Sequence, residues 1–287
     1  MPENAIGIIG GSGLYQIEGL ENPRSLAVGT PFGSPSDELV EGRFQDRTVF
    51  FLPRHGRGHR ILPTELNHRA NLYALRSVGV RWIISVGAVG SLQDRYEPRH
   101  LVLPDQFFDR TSQRGDHTFF GAGIVAHVSF ADPVSPQLRR ILAEEAAALG
   151  CTAHNGGTYV NMDGPAFSTR AESEFYRRQG FAVIGMTCAP EAKLAREAEI
   201  AFASMSFVTD FDGWKTHVEP VSAQAILEHL MANAEAARRI LRSVVERIPT
   251  EPTWPEHCAL DTALVTPRKF WPDGTVKKLE VILNRFI

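Results

Sequence analysis

The amino-acid sequence predicts an α/β fold, a single domain in which helices flank a mixed, twisted central β-sheet. Short β-rich runs alternate with helical stretches along almost the whole chain, as they do in layered α/β proteins. Hydrophobic residues make up 43% and charged residues 22% of the 287 residues, a composition typical of globular proteins with a sizeable core. No internal repeat or linker is evident before residue 249, so we expect one domain over residues 1–287.

Seven runs rich in β-branched or aromatic residues are the strand candidates. They cover residues 5–9, 48–52, 82–86, 101–103, 157–162, 182–186 and 200–208. Most of these runs are apolar throughout, which indicates a sheet that is largely buried on both faces.

Five stretches are helix candidates, at residues 65–78, 135–149, 169–179, 189–198 and 222–247. The second of them carries Leu138 and Ile141 at helical spacing and stops at Gly150, a residue that commonly ends helices. The third begins at Thr169, with Glu172 three residues later, which is the spacing of a capping box.

From about residue 250 to 287 the pattern predicts a C-terminal tail that packs on the main body, on or near the functional site. Three prolines between residues 249 and 255 interrupt the alternation, and Pro-Asp-Gly at 272–274 indicates a turn. The apolar side chains of Leu279, Val281, Ile282 and Ile287 need a surface to cover them.

The bulk composition disfavours several classes of partner. A formal net charge of −3 carries no polyanion-binding signature, so we expect no nucleic acid partner. Cys151, Cys188 and Cys258 are widely spaced and odd in number, which indicates reduced, mostly buried thiols rather than disulfides or a zinc site. No leader-like start and no apolar run of about 18 residues occurs, so we expect a cytoplasmic protein without membrane contact.

Two glycine-containing turns form a candidate anion site. The loop Gly10-Gly11-Ser12-Gly13 follows the first strand candidate, and the turn Arg54-His55-Gly56 follows the second. Glycines let backbone N–H groups crowd around an anion, a serine adds a donor and an arginine adds a forked cation. The loop lacks the last glycine of a dinucleotide fingerprint, and no P-loop motif occurs. A plain strand-to-helix turn stays open as the alternative.

Further clusters follow other predicted strands, where open α/β sheets bind their ligands. Residues 85–91 are small and suit either a flat ligand or close strand–helix packing. Phe167 suits stacking on a ring and Met186 suits contact with a sugar, although both types more often pack in cores.

Asp210 and Asp212 follow the apolar run at 200–208, and residues two apart point to the same side of an extended backbone. Paired acids indicate a metal, general acid–base chemistry or a solvated turn. A metal would need more oxygen or imidazole ligands than occur nearby. His55 and His59 lack the helix and the glutamate of a zincin motif, so we expect no metal.

With these motifs in view, the chain resembles the trimeric purine nucleoside phosphorylase superfamily, and most closely its 5′-methylthioadenosine phosphorylase branch. The matching stretches are GIIGGSGL at 7–14, TPFGSPSD at 30–37, RHGRGHRILPTELN at 54–67, GSL at 90–92, DGPAFSTRAES at 163–173, GMTCAPEAKLAREAEI at 185–200 and TDFDGWK at 209–215. The resemblance implies a pentosyltransferase of purine and methionine salvage. In such an enzyme inorganic phosphate, a co-substrate with no cofactor required, would displace adenine from 5′-methylthioadenosine and yield 5-methylthioribose 1-phosphate.

The resemblance also implies a role for each matching residue. Phosphate would be bound by Ser12, Arg54, His55 and Thr187. Ala88 would lie near the nucleophile and the ribose, Met186 at the ribose hydroxyls and Phe167 near the base. Asp210 would protonate N7 of adenine as the general acid, and Asp212 would lie close to the amino group at C6.

The implied substrate choice follows from hydrogen-bond polarity. The 6-oxopurine phosphorylases of the superfamily carry Glu where this chain has Ser168 and Asn where it has Asp210, so adenine is favoured here. Ala223 and Ile226 leave an apolar pocket for the methylthio group. His127 matches a position that reaches into the neighbouring subunit's site, which implies a homotrimer.

The chain departs from the branch in three places. Gly87 replaces a common threonine, which removes about one hydrogen bond to phosphate or ribose. Ala166 replaces an arginine, and residues 268–287 extend beyond the usual end. The alternatives are a phosphorylase of methylthioinosine or other 6-oxopurine nucleosides, a nucleosidase that uses water, and a non-catalytic purine-binding module.

Overall fold

The computed structural model describes residues 4–11, 20–112, 114–215 and 223–287, and its centre is a mixed sheet of eleven strands. The strands are β1 (Ala5–Gly10), β2 (Glu21–Leu26), β3 (Leu39–Phe44), β4 (Arg47–Pro53), β5 (Val80–Ser91), β6 (Leu101–Leu103), β7 (Gln106–Asp109), β8 (Ala153–Asn155), β9 (Thr158–Asn161), β10 (Val183–Gly185) and β11 (Ala201–Phe211). The α-helices of the described residues are α1 (His68–Ser77), α2 (Pro136–Ala148), α3 (Arg170–Arg178), α4 (Cys188–Glu197), α5 (Ala223–Arg247) and α6 (Asp273–Lys278). The predicted mixed α/β fold is confirmed.

Each predicted strand and helix is present, whereas the sequence patterns missed β2, β3, β7 and β8. Within the described sheet β2, β7 and β8 each pair with a single neighbour, so they are edge strands. They are short or polar, and β2 is exposed along most of its length. Such strands lack the apolar run that marks a buried strand in a sequence.

The functional region of the sheet is built around the long strand β5. β11 runs parallel to it along one edge, from Trp82 to Ser91. On the other edge β1 pairs with β5 only as far as Val86, and β10 pairs with it only at Gly90 and Ser91. No described strand covers residues 87–89 on that edge. The sheet therefore opens beside these residues, at the carboxyl ends of β1 and β11.

Helices cover both faces of the sheet. One core contains apolar side chains of α2 and α5, among them Leu138 and Leu241, packed against β5 and β11. The other core contains side chains of α1 and α4, among them Leu72 and Leu194. In α3 the predicted capping box is present, because Thr169 accepts from the backbone of Glu172 and the Glu172 carboxylate accepts from Thr169.

The C-terminal tail packs on the second core. Leu279 and Ile282 are fully buried there, as predicted, whereas Ile287 at the end remains exposed. Arg285 fixes the tail through Glu199 and Asp261, at 2.5 and 2.6 Å. A short helix, α6, replaces the turn that we expected at residues 272–274.

The cysteines and the apolar content of the helices were also predicted from the sequence. Cys151, Cys188 and Cys258 are free, but only Cys188 is fully buried and Cys258 is exposed, so the prediction of mostly buried thiols was wrong for Cys258. Within the part of the chain that the structure describes, no helix combines the length and the apolar character needed to cross a membrane.

Candidate active site

A cavity of about 350 Å³ lies where the sheet opens, at the carboxyl ends of β1, β4, β5, β10 and β11. The parallel strands β1, β4, β5 and β11 bring their carboxyl ends to one edge of the sheet, so residues far apart in sequence meet there, and the antiparallel β10 ends beside them. Gly87 and Ala88, which we placed after a strand, belong to β5 itself, because the strand continues to Ser91. Both residues line the cavity.

Arg54 follows β4 directly, and its backbone N–H donates to the carbonyl of Gly10 at 2.9 Å. Its side chain is almost fully buried and forms a forked pair with Glu191 of α4, from Nε at 2.5 Å and from Nη2 at 3.2 Å. Nη2 also donates to Ser85 Oγ at 2.6 Å, and Nη1 donates to the carbonyl of Val86 at 3.0 Å. Burial by itself lowers the pKa of Arg54, but the Glu191 carboxylate outweighs it and raises this pKa overall.

His55 lines the cavity next to Arg54, and its ring stacks on His59 with the ring centres 4.4 Å apart. Nδ1 lies 2.9 Å from the carbonyl oxygen of Ile61, which closes the turn after β4. Burial, followed by the positive charge of Arg54, lowers the pKa of His55 to about 4. The ring is therefore neutral at pH 7.

Thr187 connects β10 to α4 and is the N-cap residue of that helix. Among the described residues its side chain makes no capping hydrogen bond, and it lines the cavity. The adjacent backbone is held by Asn161, whose Oδ1 accepts from the N–H of Ala189 at 2.9 Å. The positive end of the α4 dipole thus lies beside the cavity, where it favours an anion.

Asp210 lies near the end of β11, which runs on to Phe211, beyond the end that we predicted. Its carboxylate accepts from Thr209 Oγ1 at 2.7 Å, and the side chain lines the cavity. Burial raises the pKa of Asp210 to about 6; the Thr209 hydroxyl opposes this effect and the charge of Asp212 adds to it. A carboxyl group with this pKa is partly protonated near neutral pH.

Asp212 follows β11 and is 5% exposed, and its backbone N–H donates to the carbonyl of Ser91 at 3.1 Å. Burial raises the pKa of this carboxyl as well, while the nearby hydroxyls of Ser173 and Ser168 lower it. Its Oδ2 atom is buried and has no hydrogen-bond partner among the described residues. A buried acceptor of this kind calls for a donor from a ligand. The two acids line one cavity, as the spacing predicted.

Of four further predicted residues, two line the cavity and two do not. Met186 and Phe167 line the cavity, and Phe167 is 52% exposed at its rim. Ser168 is half-buried near Asp212 without lining the cavity directly. Ala166 is exposed.

The other predicted residues either lie outside the described structure or do not line the cavity. Ser12 lies outside the described residues. Ala223 and Ile226 belong to the start of α5, but their side chains lie outside the described part of the structure. His127 is exposed and does not line the cavity formed by the described residues of its own chain; its backbone N–H donates to Ala263 at 2.9 Å. The described residues of the tail do not line this cavity either.

Sequence reasoning missed three functional neighbours. Glu191 is the partner of Arg54, and its signal was present in the motif GMTCAPEAK, which we matched without assigning this residue a role. Thr209 donates to Asp210, and its place directly before the acid was the available signal. Asn233 of α5 is buried against the cavity, and no local pattern pointed to it. Within the described ranges no group of three or more metal-ligating side chains is present.

Comparison with known proteins agrees with this geometry. The profile of the phosphorylase superfamily matches residues 5–246, and the chain belongs to this superfamily. An S-methyl-5′-thioadenosine phosphorylase of Geobacter sulfurreducens is 50% identical over 285 residues, which cover 99% of this chain and 100% of that protein. That alignment includes the C-terminal segment, so residues 268–287 are not the unusual extension that we expected.

Solved structures point to the same relatives. A methylthioadenosine phosphorylase from an antarctic soil metagenomic library is 48% identical, with a TM-score of 0.92 over 98% of this chain and 99% of that one. The methylthioadenosine phosphorylase of Schistosoma mansoni in complex with adenine is 35% identical, with a TM-score of 0.86 over 91% of this chain and 98% of that one. The predicted resemblance is confirmed.

Proposed function

We propose that this protein catalyses the phosphorolysis of 5′-methylthioadenosine to adenine and 5-methylthioribose 1-phosphate. The observation that carries the proposal is one cavity lined by two kinds of group: buried acids at the end of β11, and the polar residues Arg54, His55 and Thr187 after β4 and β10. The names of the full-length relatives given above support the choice of substrate.

The proposed reaction needs a proton donor on the purine side. A phosphate oxygen bonds to C1′ of the ribose while the bond from C1′ to N9 breaks, and the bonding electrons pass to the departing purine. Asp210 gives its proton to N7, so adenine leaves as a neutral molecule. A positioned general acid contributes about 10² to 10⁴ in rate. With a pKa of about 6, Asp210 is suited to hold that proton.

Phosphate binding needs hydrogen-bond donors and a positive electrostatic potential. We assign phosphate binding to Arg54, His55 and Thr187, together with the N-terminal end of α4. Ser12 is part of the same proposal on the basis of its motif alone. Ala88, Met186 and Phe167 would contact the sugar and the base, since they line the cavity between the two groups.

The choice of adenine rests on Asp212. Its unpartnered Oδ2 accepts a hydrogen bond, which the exocyclic amine of adenine can donate and the 6-oxo group of hypoxanthine cannot. Ser168 beside it places no ionised acceptor against N1. Ala223 and Ile226 remain our candidates for the methylthio pocket.

We also propose a cytoplasmic homotrimer in which His127 completes the site of a neighbouring subunit. The exposed Val125 and Val265 flank the same β-bridge as His127 and would accompany it into the contact. Sedimentation velocity measures the assembly; a monomer that retains full activity would refute this part of the proposal.

Initial rates on methylthioadenosine, methylthioinosine and inosine, each with and without phosphate, test the proposed function. We expect phosphate-dependent release of adenine, with methylthioadenosine the best substrate. Faster turnover of a 6-oxopurine nucleoside would reassign the substrate, and undiminished activity without phosphate would indicate a nucleosidase. Purine binding without turnover would indicate a binding module.

A further inference from the structure

The proposed phosphate site carries less positive charge than its arginine suggests. Arg54 and Glu191 are both almost fully buried and neutralise each other in a forked pair. Ser85 and the carbonyl of Val86 occupy further N–H groups of the guanidinium. One N–H of Nη1 has no partner among the described residues; a Cβ added at Gly87 would lie 3.7 Å from this nitrogen. The Arg54–Glu191 pair is therefore neutral overall and has one N–H left that can donate to an anion.

His55 lies next to Arg54, and its second ring nitrogen, Nε2, is a hydrogen-bond acceptor. A carbonyl oxygen only accepts, so the nitrogen that faces the Ile61 carbonyl at 2.9 Å, Nδ1, carries the ring proton. Burial and then Arg54 lower the pKa of the ring to about 4. The Ile61 carbonyl opposes them, His59 lowers this pKa to a smaller extent, and Glu191 raises it least. In the neutral ring Nε2 therefore bears a lone pair.

The Nε2 atom is available to a ligand. It has no hydrogen-bond partner among the described residues, and the ring lines the cavity beside Arg54. Its stacking on His59 restrains the ring plane, and the Nδ1 bond restrains the ring's rotation. A flip of the ring would place a carbon, Cδ2, against the Ile61 carbonyl and lose this hydrogen bond, and the other tautomer would set two acceptors face to face. The lone pair is thus a fixed feature of the site.

We propose that Nε2 of His55 accepts a hydrogen bond from a protonated oxygen of the bound phosphate, and that this contact selects phosphate over oxyanions without a proton. The inference rests on the proposed function, because it concerns the co-substrate of that reaction. Phosphate and arsenate keep at least one proton at neutral pH. Sulfate has the same tetrahedral shape but no proton, so its oxygen would face the lone pair of Nε2.

The consequence is a difference in affinity between anions of the same shape. A buried acceptor that faces another acceptor loses its hydrogen bond and repels the ligand, which lowers affinity by about ten-fold or more. Because Glu191 cancels the charge of Arg54, this pair adds no net positive charge that would compensate for the loss. We therefore expect arsenate to replace phosphate with a similar KM and sulfate to inhibit only weakly.

The test compares the inhibition constant of sulfate with the KM of phosphate in the phosphate-dependent release of adenine, at constant ionic strength. We expect the sulfate constant to exceed the phosphate KM by about ten-fold or more. Sulfate that competes as well as phosphate would overturn the inference while leaving the proposed function intact. Release of adenine without phosphate would refute the proposed function itself.

Two variants assign the selectivity to His55. In His55→Asn the side-chain amide can donate, so the ratio of the two constants should fall toward one. His59→Asn makes the same change on the stacked neighbour and should keep the ratio of the wild type. Where a variant turns over too slowly, calorimetric titration of the folded protein with phosphate and with sulfate gives the same ratio. An unchanged ratio in His55→Asn would overturn the inference.

Discussion

Asp210 pairs in register with Gly90 of the neighbouring strand, and the missing side chain of Gly90 makes room for the acid. A Cβ at residue 90 would lie 3.2 Å from Asp210 Oδ1 and 3.2 Å from the Cβ of Asp212. Both distances are shorter than ordinary contacts between such atoms. The two acids therefore occupy space that β5 leaves open.

Gly90→Ala should displace both carboxyl groups and lower kcat by about ten- to a hundred-fold, because small misplacements of reacting groups are costly. The KM of phosphate should change little, since no atom of Arg54, His55 or Thr187 is among the three nearest to the new Cβ. Gly87→Ala is the matched control in the same strand, where Arg54 Nη1 at 3.7 Å is the only described atom that the new methyl group would meet. Steady-state kinetics of both variants checks the prediction; equal losses of kcat would contradict it.

The rate should depend on the protonation of Asp210. Its pKa of about 6 in the free enzyme predicts that kcat/KM for methylthioadenosine falls as the pH rises above this value, by about ten-fold per pH unit. The acid must be protonated to act, so the loss lies on the alkaline side. A pH profile of kcat/KM checks this, with Asp210→Asn as the control that should lack this limb. A rate that is constant between pH 6 and 8 would contradict the assignment.

The same shift predicts a pH-dependent cost to stability. The folded pKa of Asp210, about 6, exceeds the ordinary value of 3.8, so the folded protein binds the proton more tightly than the unfolded chain. The contribution of this carboxyl to the unfolding free energy is therefore fully present below pH 3.8 and is lost as the pH rises through 6. The loss amounts to about 3 kcal/mol.

Asp210→Asn should remove that cost. We expect the variant to exceed the wild type in unfolding free energy by up to about 3 kcal/mol at pH 8 and to match it at pH 4. Urea denaturation at both pH values measures the difference. Glu197, whose pKa burial raises to about 7, is present in both proteins, so its contribution cancels. A variant that gains no stability at pH 8 would show that the carboxyl is not buried.

Asp212 should determine the preference for adenine. Asp212→Ala removes the acceptor for the exocyclic amine, so kcat/KM for methylthioadenosine should fall by about ten- to a hundred-fold. Methylthioinosine lacks that amine and should lose less. The ratio of the two kcat/KM values measures the effect within one protein preparation, which corrects for misfolded material. Equal losses on both nucleosides would indicate a structural role for Asp212.

Gly87 offers a place to strengthen phosphate binding. Gly87→Ser adds a hydroxyl at the position beside Arg54 Nη1, where the described residues leave room for a Cβ. We expect the KM of phosphate to fall about two- to ten-fold, the value of one hydrogen bond. Gly87→Ala carries the same carbon atom without the hydroxyl and should not lower this KM. If the two variants behave alike, the serine does not contact phosphate.

The sequence was informative where function requires a particular residue type at the end of a buried strand. Arg54 and Asp210 follow apolar runs of the parallel strands β4 and β11, whose carboxyl ends meet at one edge of the sheet. Thr187 follows β10, which runs antiparallel to β5 and ends beside the same cavity. The Arg54–Glu191 pair was not predictable in the same way, because its members are separated by 137 positions and no local pattern links them.

Elements outside the core were harder to predict for a physical reason. The edge strand β2 exposes polar side chains, so its pairing with β3 leaves no apolar pattern in the sequence. The segment from Pro272 to Gly274 combines residues that favour turns with a proline and an acid that also favour helix starts. In the structure the packing of Leu279 on the second core favours the helix.

The most direct test of the central claim is a titration of the Asp210 carboxyl by ¹³C NMR on protein labelled at aspartate, with Asp210→Asn identifying the signal. Burial at the end of β11 predicts a pKa near 6 for this group in the free protein. A pKa at or below the ordinary value of 3.8 would mean that the carboxyl is ionised and solvated at neutral pH, and it would contradict the proposed role as proton donor.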